Sequence, residues 1–333
     1  MVFQVQRMEM TDITIQPVTE LHRSLGARPR SDGATEFCVW APSAQKVTVQ
    51  IEGHGSEYPM SRTADGYHRV VVAQTPAGSR YQYRIDGGPP RPDPASRYQP
   101  KGVHGPSEVI DPTFDWTDEQ WRCHDRKDWI VYEMHVGTFT ECGTFASAID
   151  RLPELVDLGI TAIELMPVAA SAGRWNWGYD GVALFAPADS YGTPADFRRL
   201  VDAAHGSGLA VFLDVVYNHL GPEGNYLHDF GPYLSSRHKT VWGDAPNFDD
   251  PEHGEFVRRF FIANAVYWFD EFHLDGLRVD AIHCMIDERE PHVAAEISDA
   301  VLQWSKQSGR TAALIAEANV YDPEMTRPRE KGG

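Results

Sequence analysis

Five short apolar runs, separated by stretches of helical periodicity, constrain this chain more than any other feature. The runs occupy 129–136, 160–166, 209–216, 277–282 and 312–317, with helix candidates at 145–157, 194–206, 252–271 and 292–308. Each run is apolar on both faces, which marks a strand buried on both sides. Such strands belong to a parallel sheet covered by helices. Thr193 followed by Pro194 reads as a helix N-cap with proline in the first turn.

Three of the runs end in a carboxylate: Asp214, Asp280 and Glu317. Parallel strands present their C-terminal ends at one face, so these groups are expected to converge there. One aspartate at a strand end often caps a loop; three following the same rule point to chemistry. Two converging carboxylates suit acid–base or nucleophile–acid work. Arg278 lies two residues before Asp280, on the same side of a strand, where it would hold Asp280 ionised. A structural ion pair is the plainer alternative. Apolar neighbours before Glu317 would partly desolvate it and raise its pKa. The run Trp175-Asn176-Trp177-Gly178-Tyr179-Asp180-Gly181 reads as a loop whose aromatic faces suit sugar rings or, equally, a core anchor. Asn218 and His219 follow a strand directly, where substrate contact and a supporting role both remain open.

Upstream the pattern differs. Residues 35–87 alternate in short strands broken by turn residues, as in an antiparallel sandwich. Residues 87–112 are rich in proline and glycine and read as a linker. The expected organisation is an N-terminal extension at 1–32, a β-sandwich at 33–112 and a barrel-type unit at 113–333.

Composition narrows the partners. Lys plus Arg number 30 against 48 Asp plus Glu, a formal net charge of −18. That excess disfavours nucleic acid and anionic membrane, both of which need a basic face. No apolar run approaches the roughly 20 residues of a membrane span, and the start does not read as a signal peptide. Cys38, Cys123, Cys142 and Cys284 are scattered, without C-x-x-C spacing. No H-E-x-x-H or phosphate loop occurs either, so neither metal nor cofactor is expected. These features fit a reduced, cytoplasmic protein.

The motifs also carry a resemblance. Asp214-Val215-Val216-Tyr217-Asn218-His219, Gly276-Leu277-Arg278-Val279-Asp280 and Ala316-Glu317 resemble three of the four signature regions of the α-amylase superfamily of retaining glycoside hydrolases. Within it, Asp93-Pro94-Ala95-Ser96-Arg97-Tyr98-Gln99-Pro100, Tyr132-Glu133-Met134-His135-Val136-Gly137-Thr138-Phe139-Thr140 and Asn218-His219-Leu220-Gly221-Pro222-Glu223-Gly224-Asn225-Tyr226 resemble the maltooligosyltrehalose trehalohydrolase family. The resemblance spans about residues 33–325.

The resemblance implies an α/β fold: a (β/α)8 TIM barrel, with about five βα units present, preceded by an antiparallel β-sandwich of the branching-enzyme/isoamylase type. It implies Asp280 as nucleophile and Glu317 as general acid/base. Asp214, His219 and Arg278 would shape the subsite of the cleaved sugar, with Tyr179 stacking there. Trp177 would bind substrate, and His283 would lie near the leaving-group side. The implied substrate is maltooligosyltrehalose or a related α-glucan, cut at the α-1,4 bond next to the terminal trehalose unit. A glycogen branching enzyme and a non-catalytic glucan-binding fragment are the competing readings.

The sequence departs from the family in one respect. No run after Glu317 matches the fourth signature region, and five strand candidates fall short of eight. Five such strands would leave two open sheet edges. The chain is therefore expected to be poorly soluble or partly molten alone, with little activity.

Overall fold

The computed structural model describes residues 17–319 and Arg327. Eight short strands come first: β1 (Gly26–Pro29), β2 (Thr35–Trp40), β3 (Val47–Ile51), β4 (Glu57–Pro59), β5 (Ser61–Arg62), β6 (Tyr67–Val72), β7 (Arg80–Ile85) and β8 (Ser107–Glu108). They form two four-stranded antiparallel sheets, ordered β1-β2-β6-β5 and β4-β3-β7-β8. Inward residues of the two sheets meet, as where Phe37 packs edge-on against Tyr81 at 4.8 Å. This is a sandwich, as the alternation predicts. Its first strand lies inside the stretch read as an extension, because Gly-Ala-Arg-Pro carries no alternation to betray it.

The stretch 87–112 is not a loose linker. Asp93, Ser96, Arg97 and Gln99 are all buried. Asp93 accepts hydrogen bonds from the Tyr81 hydroxyl (2.7 Å) and the Ala95 amide (2.8 Å). Burial pushes its carboxyl up to about 6. The Arg97 guanidinium lies over the rings of Phe185 and Tyr267, at 4.7 and 4.3 Å. These cation–π contacts fasten the segment to the second unit.

That unit begins with β9 (Val131–Met134), α1 (Val136–Phe139), α2 (Phe145–Ile149), α3 (Leu152–Asp157) and β10 (Ala162–Leu165). A small hairpin pairs β11 (Ala169–Ala170) with β12 (Ala183–Pro187). Then come α4 (Pro194–Gly206), β13 (Ala210–Val216), α5 (Leu227–Phe230), β14 (Leu234–Thr240), β15 (Gly243–Pro246), α6 (Gly254–Phe272), β16 (Gly276–Asp280), α7 (Val293–Ser308) and β17 (Ala313–Ala316). Strands β9, β10, β13, β16 and β17 form one parallel sheet in the order β17-β16-β13-β10-β9. These are the five expected runs. Among the described residues β9 and β17 each have one free edge, and Ile130, just before β9, and Val131, its first residue, are 56% and 42% exposed.

The helices follow the sequence signals with one exception. At α4 the Thr193 side chain accepts from the Asp196 amide and Asp196 answers at Thr193, closing a capping box ahead of Pro194. The single helix expected over 145–157 is two, parted at Asp150–Arg151, where Pro153 can only start a new helix. Helix α6 is buried nearly all round, because it lies between two layers. The sandwich covers it with Trp40, stacked on Phe256 at 5.4 Å, while Phe261 packs edge-on against Tyr217, just past β13. Inside the sheet, Phe212 fills the space that Gly276 leaves open; a Cβ there would lie 2.8 Å from the Phe212 ring. Trp129 closes the lower end against Phe212 at 4.8 Å.

Candidate active site

Parallel register brings the candidate residues together. Asp214 on β13 stands opposite Arg278 on β16. Asp280 lies two residues further along β16, so it faces the same side. Glu317 directly follows β17, where its amide donates to the Val279 carbonyl at 3.1 Å. All three carboxylates surround one guanidinium. Arg278 Nη1 donates to Asp214 Oδ2 and to Asp280 Oδ1 (3.0 Å), and Nη2 lies 3.8 Å from Glu317 Oε2. A fourth carboxylate, Glu164 on β10, is 4.0 Å from Nε.

Neighbours fix each group. Asn218 Nδ2 donates to Asp280 Oδ2 (3.1 Å) and to the Asp280 carbonyl (2.8 Å). The Tyr179 hydroxyl donates to Asp214 Oδ2 at 2.8 Å. Glu317 Oε2 accepts the Ala281 amide at 2.7 Å. Ala281 turns the chain sharply directly after the strand, with φ 40° and ψ 51°. A non-glycine residue in this left-handed region costs about 1–2 kcal/mol, so the surrounding packing holds a strained turn between the two carboxylates. The Glu317 side chain is 39% exposed. The desolvation expected from its apolar neighbours is partial, since Leu314 and Ala316 lie on the other face of the strand.

Burial pushes the Asp214 carboxyl up, to about 7, against the pull of Arg278 and the Tyr179 hydroxyl. Burial also works against the Arg278 charge, but Asp214 and the other acidic neighbours outweigh it and hold the guanidinium firmly protonated. The two effects oppose each other across one contact. With two donors on Asp214 Oδ2, the hydrogen bonding favours the carboxylate. Burial raises Glu164 and lowers His219, which favours a neutral imidazole near pH 7. One cation among four carboxyl groups leaves the cleft net negative, suited to a transition state that develops positive charge on a sugar ring.

Aromatic side chains border the cleft. His219 Nδ1 lies 2.5 Å from Asn218 Oδ1, and its ring is stacked under Trp242, with centroids 5.1 Å apart and planes 23° apart. Trp242 sits at the tip of the β14–β15 hairpin and is 50% exposed. Sequence reading missed it, because β14 is largely polar and shows no apolar alternation. Trp177 is 70% exposed on the loop that carries Tyr179. This loop is pinned by Gly178, at φ 96°, where a Cβ would come 2.0 Å from the Pro167 carbonyl oxygen.

His283 stands apart from this cluster. It lies in the short 3-10 turn Ile282–Cys284 and lines a cavity of about 540 Å³ between β16, β17 and α7. Its Nδ1 is buried and makes no hydrogen bond among the described residues. Thus Tyr179, Asp214, Asn218, His219, Arg278, Asp280 and Glu317 are brought together, Trp177 is displayed on the adjoining loop, and His283 faces a neighbouring cavity.

A parallel sheet with clustered carboxylates at its C-terminal ends thus follows an N-terminal sandwich. Family comparison gives the same two parts. Residues 24–102 match carbohydrate-binding module 48 (isoamylase N-terminal domain), and residues 115–243 match the alpha amylase catalytic domain. Over these two stretches the chain is similar to the α-amylase family. Within that family it is similar to the malto-oligosyltrehalose trehalohydrolase of Saccharolobus solfataricus, 47% identical over 93% of this chain and 54% of the relative. A 1,4-alpha-glucan branching enzyme of Pseudoalteromonas atlantica is 31% identical over 90% of this chain and 47% of its own. Among solved structures, a putative alpha amylase from Salmonella typhimurium superposes with a TM-score of 0.82 at 40% identity, covering 90% of this chain and 52% of that one. The chain spans about half the length of the curated relatives it matches. No helix among the described residues is long and apolar enough to cross a membrane.

Proposed function

We propose that this chain carries the catalytic pair of a retaining α-glycosidase that cuts the α-1,4 bond next to the terminal trehalose unit of maltooligosyltrehalose and releases trehalose. The observation that carries the reading is the grouping of Asp280 and Glu317 on one guanidinium, at 3.0 and 3.8 Å. Retaining hydrolysis requires two carboxyl groups on opposite sides of one bond, about 5–5.5 Å apart. The similarity to trehalohydrolases, at 47% identity against 31% for the branching enzyme, favours the trehalose-releasing reaction.

In this reading Asp280, held by Asn218 and Arg278, attacks the anomeric carbon. Glu317 gives its proton to the departing glycosidic oxygen. Glu317 then takes a proton from water, which attacks the same carbon and frees Asp280. Asp214, Arg278, His219 and Tyr179 line the subsite of the sugar under attack, and Trp177 and Trp242 offer aromatic faces beyond it. His283, near the leaving-group side, acts by shaping the wall between the cleft and its cavity. The domains divide the work in the same way: a sandwich at about 26–112 braces α6, and 113–333 carries the chemistry. Neither nucleic acid nor membrane as partner suits the net charge of −18, and a cytoplasmic setting suits the four scattered cysteines.

The test is to incubate the chain with maltotriosyl trehalose and follow the products. Free trehalose from the parent and none from Asp280→Asn supports the proposal. New α-1,6 branches from a maltooligosaccharide would favour a branching enzyme. Glucan binding that survives Asp280→Asn, with no turnover before or after, would leave a binding fragment.

A further inference from the structure

The hairpin that presents Trp242 has little packing of its own. Val241 and Trp242 at its tip are 88% and 50% exposed, and the pairing of β14 with β15 is irregular between Leu234 and Lys239. Something else must hold the Trp242 ring over His219. The described contacts supply a buried anchor and an exposed one. His238 Nε2, on β14, donates to Asp249 Oδ2 at 2.8 Å. The Asp249 side chain is 2% exposed and that of His238 14%. The Glu288 amide also reaches Asp249 Oδ2, at 3.4 Å, and Arg237 Nη2 donates to Glu288 Oε2 at 2.8 Å. One buried and one exposed link therefore tie β14 to the loop that follows Asp280 and the 3-10 turn. Arg237 Nη1 lies 4.0 Å from Asp249 Oδ1, so the protein itself supplies the counter-charge there.

We propose that His238 and Asp249 are positioning residues, which set the Trp242 ring on His219 and so shape the sugar-binding edge of the cleft. The register explains how. His238 is four residues before Trp242 along an exposed strand and turn, while the Ser235 hydroxyl accepts the Arg237 and His238 amides at 3.1 Å each. The strand is bent at Ser235 and fastened at His238, and only Lys239, Thr240 and Val241 separate the fastening from the tryptophan. A hydrogen bond between a buried carboxylate and an imidazole N–H is worth more than an exposed pair, because water competes poorly for it. Removing it frees the hairpin to move as a unit. The inference rests on the proposed glucan-binding role only for its effect on ligand; the positioning itself does not depend on it.

The experiment records the His219 ring protons by NMR in the full chain, and the dissociation constant for maltotriosyl trehalose by tryptophan fluorescence. A ring stacked over an imidazole shifts its protons upfield. Trp242→Leu gives the unstacked reference position. His238→Ala is expected to move the His219 resonances downfield toward that reference and to weaken binding about three- to tenfold, the worth of one aromatic contact. His238→Gln, whose amide reproduces the Nε2 donor, is expected to restore both. Resonances that stay put in His238→Ala, while Trp242→Leu moves them, overturn the proposal. Resonances that move without any loss of affinity keep the positioning role and count instead against a sugar-binding function for Trp242.

Discussion

The amide of Ala281 donates to Glu317 Oε2 at 2.7 Å. The residue after one candidate catalytic carboxylate thus holds the other. At the same residue the backbone is left-handed, φ 40°, directly after β16. The strained turn and the two carboxylates form one unit. Ala281→Gly tests the strain. Glycine adopts this backbone readily, so the substitution is expected to leave stability unchanged or raise it by up to about 1 kcal/mol. Denaturant unfolding measures it. A loss above that size would show that Ala281 is not strained.

Arg278 is the only cation within 4 Å of Asp214, Asp280, Glu317 and Glu164 among the described contacts. Arg278→Ala would leave two largely buried carboxylates facing each other without a counter-charge. The expected cost is about 3 kcal/mol or more, read by urea unfolding at pH 7. Adding Asp214→Asn to that variant should recover part of it. No recovery would place the Arg278 effect outside this contact.

Gly178 allows the aromatic loop to pass against Pro167. Gly178→Ala cannot keep that path, since its Cβ would overlap the Pro167 carbonyl. The loop must shift, taking Tyr179 away from Asp214. The expected readout is a change in Tyr179 and Trp177 fluorescence, with binding of maltotriosyl trehalose weakened about tenfold or more. Unaltered binding would show that the loop does not contribute to the site.

A second charged cluster is expected to contribute to the acid limb of stability. Asp118 accepts from His205 Nδ1, His273 Nδ1 and Arg310 Nη2, at 2.9, 2.9 and 2.7 Å. Burial alone would raise its pKa, yet these three donors drive it far below the usual carboxylate value. A depressed folded pKa gives stability that is present above the unfolded value near 3.8 and lost as pH falls below it. His205 is raised against its own burial by hydrogen bonds to Asp118 and Asp275, so its contribution is full below 6.5 and fades as pH rises through its folded pKa. Asp118→Asn is expected to flatten the acid limb of a stability–pH curve and to cost about 3 kcal/mol at pH 6. An unchanged acid limb would contradict the assignment.

The same physics explains what the sequence could disclose. Strands β10, β13 and β16 are covered on both faces, which writes itself as runs of apolar residues, whereas the edge strands β9 and β17 carry the same apolar pattern but are only partly covered. Asp214, Arg278, Asp280 and Glu317 are legible because strand ends in a parallel sheet must converge. Trp242 is not, since its place over His219 depends on a polar hairpin held by Asp249, eleven residues beyond His238. Strand β1 is hidden because it is four residues long and pairs only with β2. The stretch around Asp93 and Arg97 reads as a linker by composition, yet tertiary partners, two tyrosine hydroxyls and two aromatic rings, give it fixed structure. The break at Asp150–Arg151 shows that helical spacing can continue across a join between two helices.

The most direct test of the central claim is to trap the glycosyl-enzyme. A Glu317→Gln variant is incubated with α-maltosyl fluoride, whose fluoride leaves without an acid, then digested and analysed by mass spectrometry. The account predicts a maltosyl ester on the peptide containing Asp280, and none in Glu317→Gln/Asp280→Asn. No adduct from a folded variant, or an adduct on Asp214, would contradict it.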